Sequence, residues 1–255
     1  LKMATNTSLD QIKYPVELKG VSVAYDQKRV LSNIYLHIEA HHIYGLIGPN
    51  GAGKSTLFKC ILNQIKANAG EIRLFGRPVA ENITRIAYVP QKDEVDWQFP
   101  ATVMDIVLMG RYPHKEWYQW INKEDKAKAE AALAQLNMTN YANRQIGELS
   151  GGQQQRVFLA RALCQEADIF LMDERFVGVD VRTEQRMIKI LKELAACGKT
   201  ILVVHHDLDS VQNYFDRVIM INQKLIAFGD TSEVFTKENI SATYSSQTHL
   251  LEKNY

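Results

Sequence analysis

No apolar run in this chain is long enough to cross a bilayer as a helix, and the first residues, Leu1-Lys2-Met3-Ala4-Thr5-Asn6-Thr7, lack the apolar centre of a secretory signal. Any role at a membrane is therefore expected to be that of a peripheral subunit. Charge of one sign is also missing: 30 lysines and arginines stand against 29 aspartates and glutamates, a formal net charge of +1. That excludes the bulk basic field with which a protein gathers nucleic acid, so no nucleic-acid partner is expected. Cysteine is scarce, and Cys60, Cys164 and Cys197 have neither paired nor metal-ligand spacing. They read as buried thiols of a reducing cytosol rather than as a disulfide framework. Repeats and low-complexity segments are absent too. What remains, 46% hydrophobic and 23% charged residues over 255 positions, is ordinary for a folded chain with a large core.

The most informative segment present is Gly48-Pro49-Asn50-Gly51-Ala52-Gly53-Lys54-Ser55-Thr56, which fits the phosphate-loop pattern G-x-x-x-x-G-K-[ST]. It follows the apolar run Tyr44-Gly45-Leu46-Ile47, read as a buried strand, and opens Ser55 to Leu62, whose apolar residues recur at helical spacing. In that setting backbone N–H groups and a helix N-terminus face the phosphates of a nucleotide. Gly51 and Gly53 permit the tight turn, Lys54 supplies a cation for the β- and γ-phosphates, and the Ser55 hydroxyl is a ligand for Mg²⁺.

A second phosphate-seeking feature is Leu149-Ser150-Gly151-Gly152-Gln153, where Ser150 is a good N-cap and the glycines bare several N–H donors at the start of a helix. Close behind, Ala167-Asp168-Ile169-Phe170-Leu171-Met172 reads as an apolar strand ending in Asp173-Glu174. In a phosphate-loop fold the first of these acids suits Mg²⁺, usually through water. The second suits the general base that takes a proton from the attacking water.

Together these segments resemble the nucleotide-binding subunit of ATP-binding cassette (ABC) transporters, over about residues 16–235. The resemblance implies an α/β fold: a phosphate-loop NTPase core with a mostly parallel sheet, an antiparallel β subdomain, and a helical subdomain inserted at about residues 92–165. Residues 236–255 are left as a C-terminal tail without a motif. ATP and Mg²⁺ are the implied cofactors. Tyr25 matches the aromatic that stacks on adenine, and Gln91 the glutamine that senses Mg²⁺ and γ-phosphate. Residues 149–153 match the family signature, Asp180 the acid of the loop crossing between subunits, and His206 the switch histidine at the γ-phosphate. Catalysis is thus expected from Glu174, His206, Lys54 and Gln91, and metal binding from Ser55, Gln91 and Asp173.

The family also implies a homodimer in which the signature of each chain covers the nucleotide of the other, giving two composite ATP sites. It further implies integral-membrane permease subunits, an indirect extracytoplasmic metal-binding partner, and a place on the cytoplasmic face of the inner membrane. Several local stretches, among them residues 91–100, Val107-Leu108-Met109-Gly110-Arg111-Tyr112 and Phe176-Val177-Gly178-Val179-Asp180, are similar to importers of metals. Manganese is the first expectation for the cargo, with zinc or chelated iron as alternatives. A soluble cassette ATPase not tied to a membrane is the alternative of another class. One departure from the family opens a further alternative, a low-turnover nucleotide-binding module: Arg175 stands where the family usually has proline after the catalytic glutamate.

Three smaller readings accompany these. Trp97 and Phe99 are candidate apolar anchors for a permease helix, with core packing as the competing reading. Trp117-Tyr118-Gln119-Trp120 is expected to pack the helical subdomain or a partner. The pairs His41-His42 and His205-His206 are expected not to chelate, since neighbours on a strand point to opposite faces.

Overall fold

The computed structural model describes residues 13–26, 28–91, 95–97, 99–173 and 181–251. Two sheets organise it. Strands β1 (Val16–Tyr25), β2 (Lys28–Ile38), β4 (Ala69–Leu74) and β5 (Arg77–Pro78) form an antiparallel sheet in the order β2-β1-β4-β5. Strands β3 (Ile43–Ile47), β6 (Ile86–Val89), β7 (Ile169–Met172), β8 (Thr200–Val204), β9 (Arg217–Asn222) and β10 (Lys224–Asp230) form the second, ordered β10-β9-β3-β8-β7-β6. Its pairings are parallel except for the β9-β10 hairpin.

The central strands are apolar at nearly every position because both faces of this sheet are covered, and the two-residue period of a strand divides them between two cores. Ile43, Ile47, Phe170, Met172, Ile201, Val203, Val218 and Met220 feed one core. Their neighbours Tyr44, Leu46, Ile169, Leu171, Leu202, Val204, Ile219 and Ile221 feed the other. The second core is closed by Leu18, Val21 and Ile34 of the antiparallel sheet and by Leu57, Phe58 and Ile61 of helix α1 (Lys54–Ile61). A short helix, α2 (Val79–Asn82), follows β5.

The first core runs on into the helical insert, α3 (Val103–Leu108), α4 (Lys123–Gln135) and α5 (Gly151–Cys164), and into α6 (Val181–Ala196). Each of the first two helices opens with a reciprocal cap. Thr102 Oγ1 accepts from Asp105 N–H at 3.2 Å while Asp105 accepts from Thr102 N–H at 3.0 Å, and Asn122 and Asp125 repeat the exchange at 2.9 Å both ways. The insert is fastened to the core by α5: Arg161 donates to Tyr88 O at 2.9 Å, and Gln165 donates to Ile86 O at 2.6 Å. Trp97 is half-buried and stacks edge-on against Phe158 of α5 at 5.5 Å, so it packs on the insert, whereas Phe99 is exposed. Of the cysteines, Cys60 and Cys164 are buried as expected but Cys197, just past the end of α6, is exposed. Trp117 and Trp120 are 94% and 89% exposed, so the aromatic run does not pack the insert.

Beyond β8 come α7 (Val211–Tyr214), the β9-β10 hairpin turning at Gln223, α8 (Thr231–Val234) and α9 (Lys237–Leu251). The motif-free tail is therefore mostly helix, and α9 rests on β9 and β10.

Candidate functional site

Between the end of β3 at Ile47 and the start of α1 at Lys54 the chain must reverse within a few residues. Gly51 and Gly53 do this with φ of 79° and 96°, a region that a side chain disfavours, and Gly53 is the N-cap of α1. The first glycine serves closeness rather than turning, since a Cβ on Gly48 would run into the Ile221 carbonyl of β9. Lys54 is buried, and its Nζ donates to Gly48 O at 2.7 Å and Pro49 O at 3.0 Å, so the cation lies folded over its own loop.

This loop forms one wall of a cleft of about 370 Å³. Asn50, Gly51, Ala52, Gly53, Lys54, Ser55 and Thr56 line it, and three polar residues from elsewhere meet them: Gln91 just after β6, Asp173 just after β7, and His206 just after β8. They converge because β3, β8, β7 and β6 lie side by side in that order and run parallel, so their C-terminal ends share one edge of the sheet. Asp173 is buried, its N–H donates to Val89 O at 3.0 Å, and its Oδ1 accepts from Gln91 Nε2 at 3.0 Å.

The adjacent histidines separate. His206 faces the cleft, while His205 is buried with its Nε2 2.7 Å from Ser210 Oγ and its ring against Phe215. Burial pushes the His205 pKa down, so its imidazole is held neutral. Both histidines follow β8 rather than lying in it, and His41-His42 occupies the turn between β2 and β3, where His41 has φ of 66°. Strand alternation therefore does not set the directions of these pairs, although the side chains of His205 and His206 do diverge.

Not every expected site residue joins the cleft. Gly48 and Pro49 are buried in the loop behind it. Tyr25 sits at the end of β1, 44% exposed, and is not part of the cleft lining. Ser150 is an exposed N-cap at the head of α5, its N–H bonded to Gln153 Oε1 at 2.9 Å, and Ser150, Gly151, Gly152 and Gln153 lie outside the cleft of their own chain. Glu174, Arg175 and Asp180 fall outside the described residues. Val204, at the end of β8, lines the cleft without having been expected there, and so does Val30 of β2. Val30 carries no motif, and only the fold of the antiparallel sheet over the loop brings it there.

Comparison with known proteins agrees with this geometry. The ABC transporter family model matches residues 31–177. The chain is 50% identical over 239 residues to the manganese transport system ATP-binding protein MntB of Bacillus subtilis, covering 94% of this chain and 96% of that one. It is 49% identical to the zinc transport system ATP-binding protein TroB of Treponema pallidum, covering 92% and 88%. Among solved structures, the inward-facing conformation of a metal-chelate type ABC transporter superposes with a TM-score of 0.81 at 27% identity, over 91% of this chain and 88% of that one.

Proposed function

Because the chain belongs to the ABC transporter family, we propose that it is the ATP-hydrolysing subunit of an importer of divalent metal ions, with manganese as the cargo. The observation that carries this reading is the meeting of Lys54, Ser55, Gln91, Asp173 and His206 around one cleft at the C-terminal edge of a parallel sheet. Such a cleft offers what a nucleoside triphosphate needs: backbone N–H groups, a buried cation and a carboxylate.

Lys54 moves from its loop carbonyls to the β- and γ-phosphates. The Ser55 hydroxyl, the Gln91 amide oxygen and the Asp173 carboxylate are a set of hard oxygen donors, which fits Mg²⁺ better than a softer ion. When bound, Mg²⁺ supplies charge neutralisation between the phosphates. Glu174 accepts the proton of the attacking water, and His206 holds the γ-phosphate. Tyr25 stacks on the base. Ser150, Gly151, Gly152, Gln153 and Asp180 serve the nucleotide of a second copy. No helix among the described residues is long and apolar enough to cross a membrane, so transport requires permease subunits, on which an external metal-binding protein delivers the cargo.

Manganese is favoured by the 50% identity to the Bacillus subtilis protein, and zinc is the second reading on the near-equal identity to the Treponema pallidum protein. The test is ATP-dependent uptake of manganese and of zinc by vesicles carrying the complete transporter. Manganese accumulation that disappears in Glu174→Gln is expected. Zinc uptake without manganese would reassign the cargo, and uptake of neither would sink the import reading.

A further inference from the structure

His206 reaches the cleft from the turn that follows β8, and that turn is tied down on both sides of it. Its predecessor, His205, is buried. The His205 N–H donates to Leu46 O of β3 at 3.0 Å, and its ring lies edge-on to Phe215 and Tyr214 with centroids 5.1 Å and 5.9 Å away. Phe215 is in turn packed so closely on Gly45 of β3 that a Cβ there would come within 2.6 Å of its ring. Its successor, Asp207, accepts at Oδ1 from Asp209 N–H at 3.1 Å. One hydroxyl joins the two neighbours: Ser210 Oγ, at the head of α7, lies 2.7 Å from His205 Nε2 and donates to Asp207 O at 3.2 Å.

A hydroxyl has one proton, and here it goes to the Asp207 carbonyl. The hydrogen of the shorter contact therefore belongs to His205, whose Nε2–H donates to Ser210 Oγ. The path from His205 through Ser210 to Asp207 spans His206 and closes a clasp behind it. A side chain whose backbone is already fixed on both sides loses less freedom when it closes on a ligand, and that saving appears as affinity. We propose that Ser210 and His205 are positioning residues for His206, holding the turn from which it meets the terminal phosphate of the nucleotide. The proposal rests on the reading of His206 as a γ-phosphate contact. Neither Ser210 nor His205 touches a reacting atom.

The experiment uses the full chain and measures, by calorimetry, its affinity for the Mg²⁺ complexes of ADP and of a non-hydrolysable β,γ-imido analogue of ATP. Ser210→Ala should weaken binding of the analogue about 3- to 10-fold, the worth of one neutral hydrogen bond, and leave ADP binding unchanged. Ser210→Thr, which keeps the hydroxyl, should bind the analogue as the parent does. In a His206→Ala background, Ser210→Ala should cost nothing further, because its effect passes through that side chain. Parental affinity for the analogue in Ser210→Ala, or an equal loss for ADP, overturns the proposal. His206→Ala separates the two ideas: if it binds the analogue as tightly as the parent, the γ-phosphate reading of His206 has failed, and not merely the clasp.

Discussion

Lys54 is the residue whose position says most about the site, because a buried ammonium must find acceptors and here it finds two carbonyls of its own loop. Moving it to phosphate exchanges neutral acceptors for charged ones, which strengthens each bond. Lys54→Ala should therefore weaken ATP binding by roughly 10- to 100-fold, the worth of about 1.5–3 kcal/mol in charge-assisted hydrogen bonds. Calorimetric titration with Mg-ATP checks this, and unchanged affinity would contradict the assignment. Arg175 makes a different prediction at the same scale. A guanidinium within reach of a carboxylate lowers its affinity for a proton, so an Arg175 that meets Glu174 would make it a poorer base while one that points to solvent would change little; arginine also releases the φ that proline would fix. Arg175→Pro should raise the turnover of ATP several-fold at unchanged KM. Equal rates would show that Arg175 leaves the site alone.

At the scale of elements, what could be read in advance was what repeats with a period. The apolar runs of residues 44–47 and 167–172 read as strands, and they fall on β3 and β7, whose alternate residues enter separate cores. The helix opening at Ser150 was equally plain, since it depends on local turn chemistry. The contacts that hold the insert together were hidden, because they join residues far apart in sequence. Arg111 donates to Asp125 at 3.1 Å, to Cys164 O at 2.7 Å and to Glu166 at 2.8 Å, and Lys115 pairs with the same Asp125. Nothing in the charged run that opens α4 marks Asp125 as the one acid that is buried. Burial alone would raise its pKa, but the Asn122 backbone N–H, Lys115 and Arg111 outweigh this and hold the carboxyl at about 2. A depressed carboxyl stabilises the fold above its unfolded pKa of about 4, and the contribution fades as pH falls towards 2. Thermal midpoints should therefore fall between pH 4 and pH 2. Asp125→Asn should cost about 3 kcal/mol at neutral pH, because it takes the buried carboxylate from Lys115 and leaves Arg111 only Glu166 as an acidic partner among the described residues, and should flatten that acid limb. Equal acid sensitivity in the two proteins would exclude Asp125 as the titrating group.

For the whole molecule, the sequence offered two helix starts suited to phosphate, and the structure separates them. The start of α1 opens into the cleft, whereas the exposed Ser150 at the start of α5 lies outside it. The family resemblance implied this separation, whereas motif order alone fixes identity along the chain and not the distance between Gly51 and Gly151 in space. A single chain thus leaves its second phosphate-seeking turn without a phosphate, and a two-fold pair would give each turn the nucleotide of the other subunit. The γ-phosphate then contributes to closure directly, because it is held from both sides only while it is attached. Removing the general base typically slows hydrolysis about 10²- to 10⁴-fold without removing a binding contact. Glu174→Gln should therefore accumulate as a dimer with ATP and revert to monomer with ADP, as read by light scattering on the eluting protein. If Glu174→Gln binds ATP with parental affinity yet stays monomeric, and the assembled transporter shows no ATP-dependent closure, the composite site is wrong. The head of α5 would then need another ligand.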